Sequence, residues 1–283
     1  MSLAHHRPDS DAIASANPAV LAYVASVEAL GDGGAQPRFE LAYGPDRGQR
    51  IDVYSPPMAE GLPVLLFLHG GAWINGHLGW LRFMAAPVLV LPAVFVAATY
   101  RLAPRLRWPA QREDAAEVLR FVREHAHEWG GDPARIAIGG HSAGGQLAAL
   151  TALEDDGALA ACLTVSAPLD LAHGDVPLDS DAGRVYRYLL ADPTHDREAS
   201  PLTHAERARV PFHILWGELD SPYVIRAGRE MAGRLDRACL RVTSVELPRA
   251  SHFDTHLSLA DGRSPWYDGL REALYSPAPA LGA

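Results

Sequence analysis

Cysteine is scarce in this chain. Two thiols, Cys162 and Cys239, stand in 283 residues. Neither their number nor their spacing builds a disulfide framework or a zinc site, so both read as small apolar side chains. The stretch from Met1 to Asp11 carries His5, His6, Arg7 and Asp9 and no apolar core, so no signal peptide is expected. Long apolar runs are missing as well. The longest, Phe83 to Ala98, is broken by Pro87 and Pro92 and falls short of the roughly 20 residues that span a bilayer. Positive charge is in deficit: 25 basic against 34 acidic residues leave a net charge of −9. That balance argues against general affinity for nucleic acid or anionic membrane. Low-complexity tracts, internal repeats and interdomain linkers are absent. What remains is a cytoplasmic globular protein acting on a small molecule; a homodimer is allowed and not required.

With 48% hydrophobic and 21% charged residues, the chain is expected to fold as one domain over 1–283. Asn17 to Leu30 places Val20, Leu21, Val24 and Val27 at helical spacing, with Gly31 as a stop. Arg38–Tyr43 and Arg50–Tyr54 read as two strands joined by a turn at 44–48. Val64–Leu68 is continuously apolar, as a strand buried on both faces must be. Further strands are expected at Ala93–Ala98, Arg135–Ile138, Ala161–Val165, Pro211–Trp216 and Leu240–Leu247, with helices between several of them, the clearest at Ala110–Trp129. The alternation predicts an α/β fold: a mostly parallel central sheet of about eight strands, helices on both faces, and an antiparallel edge from the first two strands. Leu171–Pro201, rich in Asp, Pro and His with one helical piece at Ala182–Leu190, interrupts the alternation. Lying at the carboxyl end of a strand, it is expected to be a small cap insertion over a pocket; the plainer alternative is a surface excursion.

The chemistry concentrates in three places. Gly140-His141-Ser142-Ala143-Gly144-Gly145 follows the apolar run Ile136–Ile138 and precedes a good helix start. That is the strand–turn–helix setting in which a G-x-S-x-G turn exposes a nucleophilic serine. A dinucleotide site is the competing reading, but the spaced glycines and the downstream acidic residue it needs are missing. His69-Gly70-Gly71-Ala72-Trp73 follows another strand. Adjacent glycines let a loop present bare N–H groups to an oxyanion, so Gly70, Gly71 and Ala143 are the expected donors, with His69 holding the loop. A serine also needs a base, and the base an orienting acid. In the order Ser, acid, His, Asp220 follows the strand ending at Trp216 and His252 follows the strand ending near Leu247. Glu218 is the rival acid and His256 the rival base. Trp73, His141, Tyr223 and Phe253 are candidates for the pocket wall. His125 and His127 are read as surface residues. No metal or organic cofactor is called for. A chain of this kind that had lost catalysis would serve as a ligand-binding protein, but such binders usually lack a triad member.

Tyr100-Arg101-Leu102-Ala103-Pro104, Trp108-Pro109-Ala110-Gln111, Glu113-Asp114 and the Gly217-x-x-Asp220 loop join these motifs in order. Together they resemble the hormone-sensitive-lipase-like esterase group of the α/β-hydrolase fold over about residues 50 to 255. A narrower similarity is to kynurenine formamidase (arylformamidase). It rests on Gly140–Leu147, Ser166–Leu171, Ser200-Pro201-Leu202, Gly217–Pro222 and His252-Phe253-Asp254. Ala72 stands where those formamidases tend to carry a larger residue, and Tyr223 replaces an acidic one. The resemblance implies a triad of Ser142, Asp220 and His252, and hydrolysis of a small carboxylic ester, aryl amide or formamide through an acyl-enzyme. A broad short-chain carboxylesterase is the alternative.

Overall fold

The apolar runs become strands of one sheet. A computed structural model describes residues 17–275 apart from 157, 175, 178, 181 and 182. The strands are β1 (Phe39–Ala42), β2 (Arg50–Tyr54), β3 (Leu62–Leu68), β4 (Val94–Ala98), β5 (Gly131–His141), β6 (Ala161–Val165), β7 (Phe212–Gly217) and β8 (Val242–Leu247). Their spatial order is β1-β2-β4-β3-β5-β6-β7-β8. β1 pairs antiparallel with β2, and β2 antiparallel with β4; every later pairing is parallel. This is the expected mostly parallel sheet with an antiparallel edge. Val64 to Leu68 of β3 are fully buried. Each such side chain contributes about 1.5–3 kcal/mol over exposure, so β3 anchors the centre of the sheet.

Two apolar layers sandwich it. One face carries α3 (Ala110–His125), α4 (Ala143–Glu154) and α5 (Pro222–Arg237). The other carries α1 (Pro18–Leu30), α2 (Ala85–Val90), α6 (His252–Leu257) and α7 (Pro265–Tyr275). α1 starts where expected: the Asn17 side chain accepts from the Ala19 N–H, and Gly31 ends the helix at φ 62°. Its packed face differs from the expected stripe, however. Tyr23 and Val27 are buried, whereas Leu21 is 55% exposed, because α1 seats on aromatic side chains and a histidine that reward a tyrosine hydroxyl.

The segment 100–114 is held by one buried carboxylate. Asp114 accepts from Gln49 Nε2 at 2.8 Å, from the Arg101 backbone N–H at 2.7 Å and from Arg101 Nε at 2.9 Å. Gln111 Nε2 donates to the carbonyls of Arg101 and Leu106. The Arg101, Gln111 and Asp114 positions of the motif set therefore brace the chain leaving β4. Among the described residues, the insertion after β6 is mostly irregular, with a π-helical turn at Val185–Leu189 and a 3-10 turn at Pro193–Asp196; Ala182, the expected start of its helix, lies outside the described residues. No helix of the described residues is long and apolar enough to cross a membrane.

Candidate active site

Ser142 sits between β5 and α4 at φ 52°, ψ −122°. A non-glycine residue there is strained, and its neighbours show what the strain achieves. A Cβ on Gly140 would stand 2.3 Å from the Gly144 carbonyl carbon, and one on Gly144 would stand 2.2 Å from the Leu68 carbonyl oxygen. Only glycine lets strand, helix and the β3 loop close this tightly. The Ser142 N–H donates to the Val165 carbonyl at 2.8 Å, pinning the turn to the sheet.

Two further strand ends bring the partners. Gly217, at the end of β7, packs against the Ala250 carbonyl so closely that a Cβ would come within 2.1 Å of it. That contact sets the Asp220 loop beside the His252 loop. His252 Nδ1–H donates to Asp220 Oδ1 at 2.9 Å, and Ser142 Oγ–H donates to His252 Nε2 at 2.9 Å. The Ser221 N–H adds a second donor to Asp220 Oδ1 at 2.8 Å. Burial alone would raise the Asp220 pKa. The hydrogen bond and charge of His252, the adjacent Ser166 hydroxyl and the Ser221 N–H outweigh burial and hold the carboxyl below its ordinary value.

The rivals are elsewhere. Glu218 accepts the Arg249 N–H at 2.7 Å. His256 is fully buried, with Nδ1 2.9 Å from the Tyr23 hydroxyl, and burial lowers its pKa to about 3. His69 is structural: its Nδ1–H donates to the Gly70 carbonyl at 2.6 Å, its ring stacks on Tyr100 at 4.4 Å, and burial lowers its pKa to about 4. His125 pairs with Glu128 on the long helix and its continuation.

Ser142, His252 and Asp220 line a cavity of about 260 Å³. Gly71, Ala72 and Trp73 form one wall, on a loop where all three have positive φ, at 121°, 52° and 60°. Among the described residues, no backbone carbonyl accepts from the N–H of Gly71, Ala72 or Ala143. Gly70, expected among the oxyanion donors, is not on the cavity wall. It packs behind it, where a Cβ would lie 2.6 Å from His141 Nδ1. The expected wall residues Trp73, His141, Tyr223 and Phe253 all line the cavity. The Trp73 indole N–H is held by Gln146 Oε1 at 2.9 Å, and Gln146 Nε2 donates to the Ala199 carbonyl at 2.7 Å.

The insertion contributes Leu171, His173, Arg184 and Val185 to the wall. The sequence reading missed the opposite wall, which is Asn17, Val20 and Tyr23 of α1 and its cap, with Trp80 beneath. Tyr23 stacks on Phe253 at 4.6 Å and meets Trp80 edge-on at 5.5 Å. The only signal for this was a tyrosine within an otherwise aliphatic helical stripe.

Comparison with known proteins agrees with this architecture. The sequence pattern of the alpha/beta hydrolase fold family matches residues 65–254. Esterase LipQ of Mycobacterium tuberculosis is 31% identical over 237 residues, covering 75% of this chain and 56% of LipQ. Carboxylesterase NlhH of the same organism is 43% identical over 104 residues, 36% of this chain and 33% of NlhH. The chain thus spans about half or less of the length of these curated relatives. Among solved structures, an esterase of Pyrobaculum calidifontis superposes with a TM-score of 0.77 at 22% identity over 89% of both chains. The thermophilic carboxylesterase EstE1 from a metagenomic library gives 0.76 at 23% identity, over 92% of this chain and 98% of its own. At these identities the two structures speak for the fold.

Proposed function

The chain belongs to the alpha/beta hydrolase fold family, and within it we propose a serine carboxylesterase that cleaves small carboxylic esters through an acyl-enzyme. The observation that carries this reading is the unbroken chain Ser142 Oγ–His252 Nε2 and His252 Nδ1–Asp220 Oδ1, both links at 2.9 Å, on the wall of the cavity. Ser142 Oγ attacks the ester carbonyl as its proton passes to His252 Nε2. The imidazolium, stabilised by Asp220, returns that proton to the departing alkoxide. Water then attacks the acyl-enzyme with His252 again as base. The N–H groups of Gly71 and Ala143 receive the oxyanion, with Ala72 N–H in the place first given to Gly70. The α4 N-terminus adds its positive end at the same point.

Esters are favoured over the aryl formamides implied by the narrower resemblance, because the relatives named above are esterases. A cavity of about 260 Å³ favours short acyl groups, since drug-sized ligands occupy roughly 300–1,000 Å³. The test is turnover by wild type and Ser142→Ala on p-nitrophenyl acetate, p-nitrophenyl laurate and N-formylkynurenine. Wild type should prefer the acetate, and Ser142→Ala should lose at least about 10⁴-fold on it. Preference for the formamide by orders of magnitude would restore the formamidase reading, and equal turnover by the variant would remove the triad.

A further inference from the structure

His141 lines the cavity with its ring, yet both of its nitrogens lie in the interior. Nε2 is 3.0 Å from the backbone carbonyl oxygen of His252. A carbonyl only accepts, so Nε2 carries the proton and donates. Nδ1 is buried without a hydrogen-bond partner, with Gly70 packed over it. A proton there would be stranded, which leaves one neutral tautomer, the donor one. Ring position is equally restricted. His141 stacks on His256 at 4.6 Å and 12° between planes, and His256 is held by the Tyr23 hydroxyl at 2.9 Å.

Besides the backbone bond of its own helix, the His252 carbonyl accepts from two side chains. One is Thr255 Oγ1 at 2.8 Å. Thr255 belongs to α6, the helix that His252 begins, so this bond moves with the base and does not fix where the base stands. The other donor is His141, the covalent neighbour of Ser142. That bond ties the backbone of the base to the turn that carries the nucleophile. It closes a short circuit: Ser142 to His141 along the chain, His141 Nε2–H to the His252 carbonyl, and the His252 ring back to Ser142 Oγ. Asp220 sets the rotation and tautomer of the ring, but its own loop reaches the base from β7. Nothing else in the circuit measures the base directly against the nucleophile.

We propose that His141 is a positioning residue, whose Nε2–H holds the His252 backbone at the distance from Ser142 that proton transfer requires. This rests on the proposed triad. A misplacement of about 1 Å in a reacting group costs on the order of 10²-fold in rate. The cost should fall on kcat, because the lost hydrogen bond acts on the base, while a side chain of similar size keeps the cavity wall filled.

The experiment compares wild type, His141→Leu, His141→Gln and Ser142→Ala on p-nitrophenyl acetate, with kcat expressed per folded molecule from circular dichroism. His141→Leu fills the space and removes the donor; its kcat should fall about 10- to 100-fold with KM within about twofold. His141→Gln places an amide N–H where Nε2 was and should recover most of that loss. A purely structural role would lower the melting temperature of both variants and leave kcat per folded molecule unchanged. The proposal is overturned if His141→Leu keeps wild-type kcat, or if His141→Gln is as slow as His141→Leu. If either happens while Ser142→Ala is inactive, the triad stands and only this role falls. An active Ser142→Ala would remove both.

Discussion

Replacing Asp220 by Asn separates two services that a triad acid performs. In the native site Asp220 Oδ1 accepts from both His252 Nδ1–H and the Ser221 N–H. An asparagine that keeps its carbonyl oxygen there preserves both bonds, with its amide at the Oδ2 position near Ser166. The His252 tautomer then survives and only the negative charge is lost. Two unit charges about 4 Å apart at an effective dielectric near 20 attract by about 4 kcal/mol, and Asp220 is buried deeply enough to warrant that value. Since about 1.4 kcal/mol is tenfold in rate, kcat should fall by roughly 10³. The assay is kcat on p-nitrophenyl acetate for wild type and variant at one fixed pH. A loss under tenfold would refute the reasoning. If the loss approached 10⁴ instead, the amide would have turned to donate to Nδ1 and imposed the wrong tautomer.

Acid should destabilise the fold well before carboxylates titrate. Burial is the main cause that holds His69 at about 4, His256 at about 3 and His141 well below the ordinary value of 6.5. Below that value the unfolded chain takes up protons that the folded one refuses, so stability is full above about pH 6.5 and falls as pH drops. The slope is roughly 1.4 kcal/mol per pH unit for each histidine. Asp220 adds to the loss only at lower pH, through its depressed carboxyl value. Urea midpoints across this range check it, and a flat profile between about pH 6.5 and 4.5 would contradict the buried neutral histidines. Separately, Asp114→Ala removes at once the acceptor of Gln49 Nε2, of the Arg101 N–H and of Arg101 Nε, and leaves the guanidinium only its 3.3 Å bonds to Glu113 and the Ala110 carbonyl. It should cost about 3–5 kcal/mol in denaturant unfolding; a change under about 1 kcal/mol would show the clamp to be dispensable.

The sheet was legible because buried parallel strands have to be apolar throughout, and Val64–Leu68 or Ala161–Val165 can be little else. β5 was seen only in part. Of its first residues, Gly131 pairs with Leu62 of β3, and the register then shifts past Asp132 and Pro133 before Ile136 meets Val64. The meeting of Ser142, His252 and Asp220 was legible because the glycines around them answer to backbone contacts rather than to side-chain preference. Gly70 was a different matter. A motif gives the composition of a loop but not which of its residues reach the cavity, and here Gly71 and Ala72, each at positive φ, line it while Gly70 does not. Least legible was α1. Ranking by apolarity favours Leu21 over Tyr23, but the helix rests on His256 and Phe253, where a tyrosine bonds at one end and stacks along its ring. Such a choice depends on the partner, which lies far along the chain.

Two of the cavity walls come from chain segments that the sheet does not need. One is α1, before the first strand; the other is the irregular stretch between β6 and β7. Ser142, His252 and Asp220 sit instead on turns whose backbones are wedged against β3, β6 and the Ala250 loop, where even a methyl group is refused. Substitution is therefore cheap along the walls that α1 and the insertion lend to the cavity, and costly at the turns that hold Ser142, Asp220 and His252 together.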